Sequence, residues 1–199
     1  MNNFEESDNF MTSNRMEALI DGIFAIAMTL LVLSIGVPHI SGQISNVTIQ
    51  QSLYTIISPF FSFVLSFILL AMFWVANHRQ LHYIKHVDDV YLWINIIWLL
   101  FIVTVPFSTD LTGTYGGYAI SQIIFNLNLL GIAFFLYLSW HYATKKGLVS
   151  KKITKQKSES IKRTCILFLG VSSIAIILSF LTPTWSGMIY LILLLEKFI

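Results

Sequence analysis

The stretch His78-Arg-Gln-Leu-His82-Tyr-Ile-Lys-His86 sets three imidazoles four residues apart. On a helix that spacing stacks them along one face, where neutral rings can hold a metal ion. A metal centre on this face needs further ligands. His39 and His141 are the only other histidines, and no acidic cluster stands at ligand spacing. The three-histidine face therefore reads as a helix end reaching a polar interface, with no structural metal expected.

Covalent chemistry finds no better footing. There is no G-x-S-x-G turn, no phosphate-binding glycine loop and no D-x-D pair, so a hydrolase or transferase would have to be assembled from scattered serines and histidines. The single cysteine, Cys165, excludes an intrachain disulfide and a thiolate cluster. The segment Thr112-Gly-Thr-Tyr-Gly-Gly117 holds the letters of a carbonyl-lined cation filter. Their order is wrong, and no pore helix precedes them. It reads as a flexible outer loop. The expectation is a protein that is not an enzyme and uses no cofactor.

What remains is Arg15, Glu17 and Asp21, at the mouth of RMEALIDGIFAIAMTLLVLSI. Three uncharged turns follow them, interrupted only by Thr29 and Ser34. Ionisable groups in an apolar helix are costly, and suggest function or a buried polar contact. At about 100° per residue, Gly22, Ile26, Thr29, Leu30 and Leu33 fall on one narrow stripe. Ala25 and Ala27 flank it, small enough for neighbouring helices to approach closely. Asp21, with Glu17 one turn before it, lies on another side, toward the chain's own helices. The stripe can face lipid, with Asp21 merely paired inside the bundle, or it can line a pathway.

The elements that position these residues follow from composition. Of 199 residues, 56% are hydrophobic and 11% charged, where a soluble domain carries about a quarter of its residues charged. Apolar runs near the ~20 residues that cross a bilayer recur at about 16–37, 52–77, 90–108, 118–142, 164–181 and 183–198. The last is the weakest, cleanly apolar only from Trp185 to Leu195. The reading is one all-α integral membrane domain over 1–199, with six transmembrane helices. The first fifteen residues are acidic and polar, unlike a cleavable signal peptide.

The basic residues give the orientation. Arg15 precedes the first run, Arg79 and Lys85 follow the second, eight fill KKGLVSKKITKQKSESIKR, and Lys197 closes the chain. The other gaps hold none. By the positive-inside rule both termini and the basic gaps are cytoplasmic. The basic gap then marks topology and a contact for anionic lipid; nucleic acid is not a partner. Asn14, three residues before Glu17, is the expected N-cap of the first helix. Pro38 should end that helix, Pro59 bend the second, and Pro106 mark the outer end of the third.

Three stretches together resemble the transmembrane protein 175 family of potassium-permeable channels. Arg15 and Asp21 in RMEALID, followed by AIAMTLLVL, are similar to its R-x-x-x-F-S-D signature and apolar run, with Leu19 and Ile20 where the family has Phe and Ser. Phe73-Trp-Val-Ala-Asn-His78-Arg looks like its second-span ending, with Asn77 replacing a histidine. Trp93-Ile-Asn95 through Pro106-Phe-Ser-Thr109 looks like its third span. The likeness covers about residues 14 to 110.

The resemblance implies a homotetramer in the cell membrane. The first helix of each six-helix subunit would line a central pore, without filter loop or pore helix. It implies a constriction at Ile26, Leu30 and Leu33 with the Thr29 hydroxyl beside it, favouring K+ mildly over other monovalent cations that pass transiently. It implies an anchoring polar network of Arg15, Asp21, Trp74, His78 and Asn95. The alternative is a proton-coupled secondary transporter using Asp21 and His78, although no internal repeat with broken helices supports one. A membrane enzyme on the His78–His82–His86 face is a third reading.

Overall fold

The computed structural model describes residues 12–40 and 42–196; the acidic first eleven residues and Lys197 lie outside them. Helix α1 runs Ser13–Leu30 and tightens into a 3-10 turn at Leu31–Ser34. Its N-cap is Thr12 and not Asn14: the Thr12 backbone is extended, and its hydroxyl accepts the Arg15 N–H. Asn14 already lies inside the first turn.

The second run is longer than its apolar stretch. Helix α2 (Asn46–Leu53), a 3-10 turn (Tyr54–Ile56) and α3 (Ile57–Leu81) form one 36-residue helical stretch. Pro59 has no N–H for the Thr55 carbonyl, and the 3-10 turn sits at that gap. Proline acts likewise in the third run, which divides at Thr104 into α4 (Asp89–Val103) and α5 (Val105–Tyr115), with Pro106 in the first turn of α5.

The expected outer loop at Thr112–Gly117 is instead largely helix. Thr112 to Tyr115 form the last turn of α5, and Thr112 is buried. The Thr112 hydroxyl bonds the Thr109 carbonyl at 2.9 Å. Gly113 lets α3 come close, since a Cβ there would lie 3.0 Å from Pro59 Cα. Helices α6 (Ala119–Lys146) and α7 (Lys155–Leu181) complete the long elements. Gly147, at φ 75°, supplies the left-handed residue that ends α6.

Among the described residues, five helical stretches are long and apolar enough to cross a membrane: 13–34, 46–81, 89–115, 119–146 and 155–181. The sixth run differs from the expected helix over 183–198. It is a 3-10 segment at Pro183–Tyr190 followed by the short α8, Leu191–Glu196. The Ser186 hydroxyl bonds the Pro183 carbonyl at 2.9 Å, and Gly187 sits against Leu65. A 3-10 helix rises about 2.0 Å per residue, so these fourteen residues reach about 25 Å, just short of a ~30 Å hydrocarbon core.

The core is stitched by polar side chains as well as packed. Helix α6 is central, touching α4, α5 and α7, while α3 packs on α5 and α1 lies over α3 and α4. The Trp98 indole donates to the Ile132 carbonyl at 3.0 Å. Gln80 donates to the Leu136 carbonyl and accepts from Ser139. Asn126 donates to Ser179 and accepts from Tyr190, joining α6, α7 and the last segment.

One end of the bundle gathers the charge. The turn after α3 pairs with the loop before α7: Lys85 N–H to the Leu148 carbonyl at 2.9 Å and Ser150 N–H to the Tyr83 carbonyl at 2.7 Å. The Ser13 hydroxyl reaches Ile84 there. Every described basic residue sits on the elements meeting at this end.

The tight seam at Gly113 sets a test. Gly113→Leu should force α5 away from α3 and cost about 1–3 kcal/mol of stability, read as a lower thermal midpoint in detergent. An unchanged midpoint would show that the seam yields freely.

Candidate functional site

Helix α1 has two unlike faces. Met16, Ile20, Phe24, Ala27 and Leu31 are buried, and the Phe24 ring packs 5.4 Å from that of Trp98. The opposite side is bare: Ile26 is 59%, Leu30 43% and Leu33 73% exposed. Gly22 and Thr29 lie open on the same side, and among the described residues nothing comes within 4 Å of a Cβ built on Gly22. The stripe found by helical spacing is thus a continuous exposed face. Within it, the Thr29 hydroxyl donates to the Ile26 carbonyl at 2.8 Å. Its proton is spent on its own helix, so its oxygen can present lone pairs outward.

Beside this face, α1 and α3 meet through a two-rung polar ladder. The Trp74 indole N–H donates to Asp21 Oδ1 at 2.8 Å. One turn away, His78 Nδ1 lies 3.2 Å from Glu17 Oε1. The Trp74 and His78 rings stack with centroids 5.7 Å apart. Both pairs use a four-residue spacing, E-x-x-x-D on one helix and W-x-x-x-H on the other, so the rungs align. Asp21 stays exposed, although it lies about 12 Å along the helix from Ser13.

Two expected members of the network stand apart. Arg15 is six residues from Asp21, which turns it to another side of α1; it makes no ion pair among the described residues. Asn95 is buried within α4 and donates to its own helix, at the Tyr91 carbonyl, 2.8 Å away. Asn95 Oδ1, the Tyr91 hydroxyl and both amide atoms of Asn77 are buried with no hydrogen-bond partner among the described residues. Ile20, which stands where the resembled signature has Ser, is itself buried and apolar, so α1 brings no hydroxyl at that position. Glu17 is the member that the sequence reading placed on the right side without naming a partner. The matched spacings were the available signal.

The three histidines do not share one helix face. Helix α3 ends at Leu81, so His82 is its C-cap and His86 lies in the irregular segment that precedes α4. Among the described residues no group of three or more His, Cys, Asp or Glu is placed to hold a metal ion.

Residues 15–106, which include the α1 stripe and the ladder, match the family described as endosomal/lysosomal potassium channel TMEM175. The chain is 29% identical over 174 residues to a potassium channel of Chamaesiphon minutus, covering 85% of each. It is 28% identical over 139 residues to a potassium channel of Streptomyces collinus, covering 68% of this chain and 66% of that one. The crystal structure of a lysosomal potassium-selective channel TMEM175 homolog from Chamaesiphon minutus superposes with a TM-score of 0.80, at 27% identity, over 92% of this chain and 95% of that one. In its motif region, its helical architecture and nearly its full length, the chain is similar to potassium channels of the TMEM175 family.

Proposed function

We propose that this chain is one subunit of a homotetrameric, potassium-favouring cation channel in the cell membrane, with α1 of each copy lining a central pore. The observation that carries this is the exposed face of α1. Against lipid, that face would leave the Thr29 oxygen beside hydrocarbon, with the exposed Asp21 carboxylate on another side of the same helix, and polar groups are costly there. Against water, the same groups are at home. The family's named potassium channels support the cation.

The apolar residues then form the neck. Rings of Ile26, Leu30 and Leu33 dewet and close to ions until the neck widens. Potassium holds its hydration shell more loosely than sodium, so a narrow oily passage penalises sodium more. Thr29 oxygens, one turn from Ile26, offer partial replacement of lost water. No tight carbonyl cage takes part, and the preference is mild. The Asp21–Trp74 and Glu17–His78 rungs hold the rotation of α1, because a helix lined by water on one side gains little from burial there. The basic end faces the cytoplasm, with both termini.

A proton-coupled carrier built on Asp21 and His78 is less well supported. These two residues pair with Trp74 and Glu17, not with each other, and the named relatives are channels.

Purified protein in liposomes with a potassium gradient should carry potassium flux above empty vesicles; folded protein without flux would overturn the reading. Ile26→Asn should raise conductance and lower the preference for potassium over sodium, by wetting the neck. Unchanged currents would move the constriction elsewhere. Trp74→Phe keeps the ring but removes the donor to Asp21. It should cost about 1 kcal/mol in thermal unfolding and blur ion preference; if neither changes, α1 is held by other contacts.

A further inference from the structure

Helix α3 carries a second feature on its side toward α7. Two adjoining cavities run along this seam at the basic end, and both are lined by Ala76, Arg79, Ser160 and Thr164. The chamber nearer the bundle end, about 370 Å³, adds His78, His82 and Lys157. The deeper one, about 200 Å³, adds Met72, Val75, Phe168 and Leu193. The groove therefore gains apolar side chains along its length, while Arg79, Ser160 and Thr164 line both chambers and keep the deeper wall mixed in character.

Its charge is one-sided. Among the described residues no carboxylate lines either chamber. Arg79 and Lys157 make no ion pair among the described residues, while His78 is turned to Glu17. The Gln80 amide at the floor of the mouth is already committed to Leu136, Ser139 and Cys165. The donors left to meet a ligand are thus the cationic side chains together with the Ser160 and Tyr83 hydroxyls. A free anion would satisfy the mouth but leave the apolar end empty; a bare alkyl chain would do the reverse.

We infer that this α3–α7 groove binds one anionic phospholipid, its phosphate held by Arg79 and Lys157 at the mouth and one acyl chain lying between Val75, Phe168 and Leu193. Each half of the groove matches one half of that molecule. The mouth lies at the bundle end where basic residues gather, so the headgroup level and the cationic level coincide. The site is separate from the exposed α1 face and does not require ion conduction.

The test is native mass spectrometry of the full chain in mild detergent with added phosphatidylglycerol or phosphatidylcholine. Wild type should retain phosphatidylglycerol in preference, and Arg79→Gln with Lys157→Gln should weaken retention about fivefold per cation. Lys151→Gln with Lys152→Gln, in the same basic loop but outside the groove, should leave retention intact. Thr164→Trp, which fills the junction of the chambers, should abolish it, with the thermal midpoint confirming a folded chain. Millimolar inorganic phosphate should not displace the lipid. Equal loss in the two charge pairs would mean diffuse surface attraction and overturn the site. So would displacement by phosphate, retention in the Thr164 variant, or a neighbouring copy cross-linked into the groove in place of lipid.

Discussion

A polar atom surrounded by hydrocarbon has no water to turn to, and this constraint shapes the bundle. Gln80, Trp98, Asn126 and Asn128 are buried in apolar helices, and each finds a partner on a neighbouring helix. Such bonds are individually modest between membrane helices. Their directionality matters more, because they fix which helix faces meet. Helix α1 breaks the pattern. It shows an apolar ridge to the protein and an exposed carboxylate and hydroxyl on its other sides.

Much of this was legible in the residues. Five apolar stretches became five long helices. The bare face of α1 followed from helical spacing alone, as did its separation from Asp21. The gathering of lysines and arginines into alternate gaps anticipated one basic end, since chain ends that share a side must collect the residues flanking them. The partnership of Asp21 with Trp74 was within reach because the resemblance placed both near the same level.

Other features depended on contacts that no local pattern reveals. Thr112–Gly117 has loop composition, yet its glycine serves close packing against Pro59, a relation between distant segments. The last segment looked like a short helix because hydropathy does not distinguish a 3-10 winding from an α one; Pro183, Ser186 and Gly187 together set the tighter form. Arg15 fits the resembled motif by spacing, but rotation about the helix carries it away from Asp21. Asn95 fits by type, and its amide turns to its own backbone instead.

The division of the third run at Thr104 carries a mechanical consequence. Helix α4 seats the inner turns of α1 through Trp98 and Phe24, whereas α5 abuts the 3-10 turn beyond Leu30. Two separately jointed levers therefore grip the two ends of one rod, and that rod changes its own winding between their points of contact. Rocking α5 upon α4 would load α1 where its winding changes, among the bare leucines, while leaving its polar foot in place.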